Sequence, residues 1–257
     1  YVVTVTKGAC LSQTSVPIDF YALPDPPSIS IATVDEVSGF NKVVFRPTTL
    51  AIPVIESYNV YKLSGTYTLI GTVLPDSPTM TFIDSTSNPM ISATRYKVSA
   101  VDTCGDESEL SYGHGTIKIN SNPGTGGVID LTIVDSYWDE SGQYTPSKYY
   151  ILIDSLNDGN LAVMDSMDAV YHSYTVTQPF AGATYVVGVS FPESWIYKTK
   201  TLDLELMSIS NKSAIIAGIH DYDTENAVSI YPNPATQKLT VAMETGGEYL
   251  ISIKNIN

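Results

Sequence analysis

The sequence predicts an all-β protein built from two β-sandwiches in series. No long segment places apolar residues at i, i+3, i+4 and i+7, so no amphipathic helix is expected. Short runs rich in Val, Ile, Thr and Tyr are instead broken by Gly, Pro, Asn, Asp and Ser at intervals of about ten residues, the rhythm of an antiparallel sandwich. The pattern then returns: Tyr58 precedes Tyr149 by 91 positions and Tyr96 precedes Tyr185 by 89. A near-constant offset at matched runs marks two copies of one unit. The 18 tyrosines fit this reading, since Tyr favours pleated, half-buried surfaces.

Residues 1–23 hold "YVVTVT" and "TSVPIDFYAL" and read as the end of a preceding β domain. The chain opens inside a strand-like alternation and is taken as part of a longer polypeptide. "PDPP" at 24–27 removes backbone donors and stiffens the chain. The first unit, 24–121, offers seven strands. They are "SISIATVDEV", "NKVVFRPT", "ESYNVYKLS", "YTLIGTVL", "MTFIDS", "ATRYKVSAVDT" and "ESELSYGHGTIKI". In the sixth, Tyr96, Val98 and Ala100 share one face and Arg95, Lys97 and Ser99 the other, the period of a strand with one side on a core.

"NSNPGTGG" at 120–127 reads as a linker. The second unit, 122–211, repeats the scheme with "SKYYILIDS", "NLAVMDSM", "HSYTVTQ", "GATYVVGVS" and "TKTLDLELMSIS", with Tyr185, Val187 and Val189 facing inward. Residues 212–227 lose the alternation and read as a connector. Beyond it, Val228–Asn257 begins "VSIYPNPATQKLTVAM". Pro232 and Pro234 fix φ and lack donors, and Asn233 before a proline is held extended, so a strand cannot run through this corner.

Composition narrows function. The chain has 257 residues, 13 Lys+Arg against 27 Asp+Glu, and a net charge of −14, which repels phosphate backbones and argues against nucleic-acid binding. No apolar run approaches the about 20 residues of a membrane-spanning helix. No HExxH or GxSxG occurs, and His114, His172 and His220 share no ligand spacing. No enzyme activity, cofactor or metal is expected, and His114 in "YGHGT" is expected to be exposed. Two acidic runs, Asp102–Glu109 and Asp221–Glu225, are weighed as Ca²⁺ sites and read as solvated loops; the second has Asn226 where an EF-hand needs Gly. Tyr137, Trp138, Tyr144, Tyr149 and Tyr150, with Trp195 and Tyr197, form the aromatic set that a glycan platform would use, although core packing accounts for most of them. Cys10 and Cys104 leave two arrangements open, a bridge to each other or a bridge from Cys10 to a residue upstream.

The "Y-x-V-x-A" run of the sixth strand and the Tyr-bearing third strand resemble those of fibronectin type III domains. That family expects a core Trp on the second strand; Phe45 stands there in the first unit, and Trp138 lies near the place in the second. The run "YKVSAVDTCGDESELSYGHGTI" resembles a subtype found in surface proteins of Bacteroidota. The tail, with Tyr231, Pro232, Asn233 and Pro234 followed by Ala-Thr and an alternating strand, resembles the C-terminal sorting domain of the type IX secretion system, present in part at 228–257. Three triplets, at Ser85, Ser155 and Ser166, match the Asp-Ser/Thr-apolar pattern of O-glycosylation in Bacteroidota.

The resemblance implies a non-catalytic C-terminal region of a large exported protein, located at the cell surface or outside the cell. Its spacer or interaction modules would be delivered by the type IX translocon and its sortase and shuttle components, with attachment to surface lipopolysaccharide or glycans. Two other readings stand beside it: accessory domains of a secreted protease or glycoside hydrolase whose catalytic domain lies upstream, and an adhesin or glycan-binding module.

Overall fold

The structure is a computed structural model that describes residues 2–8, 10–15, 23–48, 54–76, 78–124, 127–180, 182–191, 207–213, 228–231 and 240–243. Every regular element among them is a β-strand, and every ladder between strands is antiparallel.

Strands β1 (Val2–Lys7) and β2 (Cys10–Ser15) form a hairpin at the start. The first sandwich follows. One sheet orders β3 (Ser28–Val34), β4 (Asn41–Arg46) and β7 (Met80–Asp84) as β3-β4-β7. The other places β5 (Ile55–Ser64) between β6 (Thr66–Val73) and β8 (Arg95–Asp102), with β9 (His114–Gly115) beyond β8. The second sandwich repeats this topology. Its first sheet is β10-β11-β15, from β10 (Lys118–Pro123), β11 (Ile129–Asp135) and β15 (Ser173–Val176). Its second is β14-β13-β16-β17, from β13 (Lys148–Asp154), β14 (Ala162–Asp168), β16 (Thr184–Ser190) and β17 (Met207–Ile209). In each unit the first, second and fifth strands face the third, fourth, sixth and seventh.

Alternating side chains fill each core. Val43 and Phe45 from β4 meet Tyr58 and Val60 from β5 and Tyr96, Val98 and Ala100 from β8. The Phe45 ring sits edge-on to Tyr58, centroids 5.5 Å apart, so a smaller aromatic fills the place a Trp would take. Each fully buried apolar side chain contributes about 1.5–3 kcal/mol. The second core packs Leu131 of β11 against Ile151 of β13 and Tyr185, Val187 and Val189 of β16. The tyrosines at matched positions tie their hydroxyls down. Tyr185 accepts from the Phe180 N–H at 2.9 Å. Tyr96 accepts from Asn41 and donates to Asp84, both at 2.8 Å.

Three expectations change. Residues 120–127, expected as a linker, contain the end of β10, which pairs with β11 across Asn120–Pro123. The long seventh strand expected over 107–119 is divided: β9 has only two residues, and Lys118 already belongs to the second unit's sheet. Trp138 is not in the second core. It lies on β12 (Trp138–Asp139), which pairs with β9 of the first unit. At the far end β18 (Val228–Tyr231) and β19 (Thr240–Met243) pair antiparallel, with Tyr231 opposite Thr240. The strand stops at Tyr231, where the prolines begin; Pro232, Asn233 and Pro234 lie outside the described residues.

Candidate functional site

The sandwiches meet without a spacer, and among the described residues the seam between them gathers a cluster of polar contacts. Gly115 ends β9, and Lys118 begins β10. Thr116 and Ile117 between them are buried. Thr116 gives its N–H to the Thr94 carbonyl and its hydroxyl accepts from the Thr94 N–H, both at 3.0 Å. The chain is therefore anchored where a flexible joint would otherwise sit.

A strap from the second unit closes the edge of the first. β12 pairs with β9 so that Trp138 faces Gly115 and Asp139 faces His114. Glu140 then accepts from the Gly113 N–H at 2.7 Å and meets Lys97 at 2.6 Å. The Arg95 guanidinium lies 4.1 Å from the centre of the Trp138 ring, a cation–π contact. The glycines of "YGHGT" make room for this: a Cβ at Gly113 would stand 3.0 Å from both Trp138 and the Tyr67 hydroxyl, and one at Gly115 3.3 Å from Trp138. An edge strand with unpaired groups invites aggregation, and the strap covers this one.

His114 is buried beneath the strap, contrary to its expected exposure. Its Nδ1 lies 2.6 Å from the Tyr137 hydroxyl, and its Nε2 lies 3.7 Å from Asp139. Burial pushes the imidazole down to about 4, against the opposing pull of Asp139 and Glu140. At neutral pH the ring is uncharged, so the Asp139 contact is not an ion pair. Tyr137 packs edge-on against Phe191 and Tyr144, centroids 4.9 and 5.8 Å away, and Tyr144 donates to the Ser190 carbonyl at 2.6 Å.

A second line of contact runs between β3 and β17. Ser208 donates its hydroxyl to the Ala32 carbonyl at 2.6 Å, and the Ile209 N–H donates to the Thr33 hydroxyl at 2.9 Å. Val34 joins Leu152, Val186, Met207 and Ile209 in one apolar cluster. Val186 and Leu152 lie on the face of their strands that alternation assigns to solvent; the neighbouring sandwich covers them.

The seam bounds a cleft of about 450 Å³, walled by Pro26 and Pro27 and lined by Arg46, Tyr112, His114, Ser141 and Gln143. Across the first sheet Arg46 pairs with Ser28. Its Nε is buried and has no hydrogen-bond partner.

The expected site residues scatter. Ser85 is exposed in the turn after β7, Ser155 in the loop after β13, and Ser166 on the open strand β14. Cys104 is an exposed free thiol; Cys10 opens β2 and its side chain lies outside the description. In the first acidic run Asp102 caps a turn, accepting from the Cys104 and Asp106 N–H groups at 2.8 and 2.9 Å. Glu107 accepts from Tyr61, Asn59 and Ser99. One oxygen of each, Asp102 Oδ1 and Glu107 Oε1, takes all of these bonds, and no group of three or more His, Cys, Asp or Glu among the described residues suits a metal. The second acidic run, His220, Trp195 and Tyr197 fall outside the described residues. Of the aromatic set, Tyr137 and Tyr149 are buried, and Trp138 lies under Arg95. The cleft itself had no sequence signal, because Arg46, Tyr112 and Gln143 are far apart in the chain.

No protein-family model and no curated protein sequence matches the chain. Solved structures similar to it include the central fibronectin-III array of RIM-binding protein, at 14% identity and TM-score 0.26, covering 86% of this chain and 80% of that one. A two-domain fibronectin type-III segment of chicken tenascin matches at 13% identity and TM-score 0.25, covering 66% and 90%. The first three fibronectin domains of chicken CNTN1 match at 12% identity and TM-score 0.27, covering 71% and 64%. The strand order decides the fold. Both units are fibronectin III/immunoglobulin-like β-sandwiches, set in tandem.

Proposed function

We propose that this chain is a non-catalytic C-terminal region of a larger exported protein, in which the two sandwiches act as a rigid spacer and the tail as an address. The observation that carries the spacer reading is the seam. A strap, a strand-to-strand contact and an apolar cluster all cross it, and β9 passes into β10 with buried residues between. Interfaces between domains of one chain leave relative motion as the default unless they are large and apolar. Three independent links remove that freedom and make the pair a fixed-length strut.

The address reading rests on sequence likeness at Tyr231, Pro232, Asn233 and Pro234, together with the hairpin of β18 and β19 on either side of that corner. In this reading the type IX translocon carries the protein across the outer membrane. The sortase and shuttle components then remove the tail and release the body or join it to surface lipopolysaccharide. Intact mass and C-terminal sequencing of the native chain from its source cells test this. The expected result is a chain ending before Val228 with added mass; a native chain that retains Tyr231–Pro234 overturns it.

A further inference from the structure

We propose that the cleft at the seam binds one carboxylate-bearing sugar ring, a uronic-acid unit, with Arg46 holding the carboxylate. This goes beyond the spacer and address reading and stands or falls separately from it.

The first reason is the state of Arg46. The chain holds 27 acids against 13 Lys+Arg, yet among the described residues Arg46 forms no ion pair. Its Nε is also buried without a partner. A buried donor left unsatisfied is costly, more so on a charged group. The planar guanidinium suits a carboxylate in two parallel hydrogen bonds.

The second reason is charge. Among the described residues, Arg46 is the one cation lining the cleft. His114, which also lines the cleft, is neutral because burial lowers its pKa to about 4. One positive charge is matched by a single carboxylate, whereas a doubly charged phosphate would leave one charge uncompensated.

The third reason is the rest of the lining. Tyr112 is exposed and offers a flat ring at the rim, the kind of surface on which the apolar face of a sugar rests. Gln143 supplies an amide that both donates and accepts, and Ser28 adds a hydroxyl. A volume of about 450 Å³ falls in the range of small-ligand sites. Pro26 and Pro27 fix one wall, and the pairing of Ser28 with Arg46 fixes the position of the guanidinium stem. Gln143 and Ser141 come from the strap of the second unit and Arg46 and Tyr112 from the first, so the site exists only where the sandwiches are joined.

The test uses the full chain, isotopically labelled, and follows amide shifts on titration with glucuronate, galacturonate, glucose, acetate and inorganic phosphate. A ligand of this size predicts a dissociation constant on the order of 1 mM. The expected result is saturable binding of a uronate that moves Arg46, Tyr112 and Gln143. Glucose, acetate and phosphate would then bind at least about 10-fold more weakly, and both R46Q and R46K would lose about 10-fold or more. Exposed Tyr112→Ala serves as a second variant that leaves the core intact and is expected to weaken the uronate alone. Three results overturn the proposal: no saturable uronate binding, binding unchanged in both R46Q and Y112A, or acetate or phosphate binding as tightly as the uronate.

Discussion

Ser111 and Val98 exchange two hydrogen bonds, one of them through a side chain. The Ser111 N–H donates to the Val98 carbonyl at 2.8 Å, and the Ser111 hydroxyl accepts from the Val98 N–H at 3.0 Å. Ser108 does the same with Ala100. In the second unit Ser210 serves Val187 and Ser213 serves Tyr185, with matching distances of 2.7–3.0 Å. The serines of each pair stand three positions apart, as in a three-fold extended segment whose every third side chain faces one way. Such a segment cannot align carbonyls with the neighbouring strand, so hydroxyls replace them.

Removing one hydroxyl strands a buried N–H. Ser111→Ala and Ser210→Ala are each expected to cost about 1–3 kcal/mol. Denaturant unfolding measures this; a loss below about 0.5 kcal/mol for both contradicts the assigned role of the hydroxyl.

Acid destabilisation has two parts with separate windows. His114 is depressed to about 4 in the folded chain from an ordinary 6.5. The unfolded chain therefore binds more protons between those values, and stability falls as pH drops from 6.5 toward 4, by at most roughly 3 kcal/mol. Burial pushes the Asp84 carboxyl up, yet hydrogen bonds from Lys62, Thr86 and Tyr96 hold it below its ordinary 3.8. Its stabilisation is present above that value and is lost only below it. His114→Gln should flatten the upper window and leave the lower one in place, as read by urea midpoints at several pH values.

The strap reports its own docking. A side chain at Gly113 meets Trp138 and Tyr67, so Gly113→Val is expected to push Trp138 off the Arg95 guanidinium and shift its fluorescence to the red. Emission unchanged from the parent contradicts the strap geometry.

The second sandwich tolerates little added volume at Gly188. A Cβ there stands 2.9 Å from Met207 and 3.0 Å from Leu152. Both atoms are terminal methyls that can shift for one added Cβ, but the bulkier Gly188→Val is expected to cost about 1–3 kcal/mol by overpacking; a neutral or stabilising result in thermal unfolding contradicts that packing.

Much of the fold was legible because strand period and core burial are local. Tyr96, Val98, Ala100, Tyr185, Val187 and Val189 lie on the faces that alternation assigns them, and the repeat offset locates both copies. The seam was not legible. Val186 and Leu152 are apolar on an outer face, a sign of a covered surface that names no partner. Trp138 reads as a core residue by type, and only pairing with β9 places it on the neighbouring sheet. His114 sits between glycines in a stretch expected to leave it exposed; its burial comes from a strap more than twenty residues later. Nothing in the sequence around Ser108 and Ser111 shows that their hydroxyls accept from the Ala100 and Val98 N–H groups; only the strand beside them does.

Residual dipolar couplings of backbone amides test the central claim, the rigid junction, most directly. Measured on the full chain in one weakly aligning medium, couplings from β3–β9 and from β10–β17 should fit a single alignment tensor of one magnitude and orientation. Val34→Asp, which places a charge among Leu152, Val186 and Ile209, should split them into two tensors. Two different tensors in the parent chain would mean that the sandwiches move independently, and the spacer would then be a flexible tether.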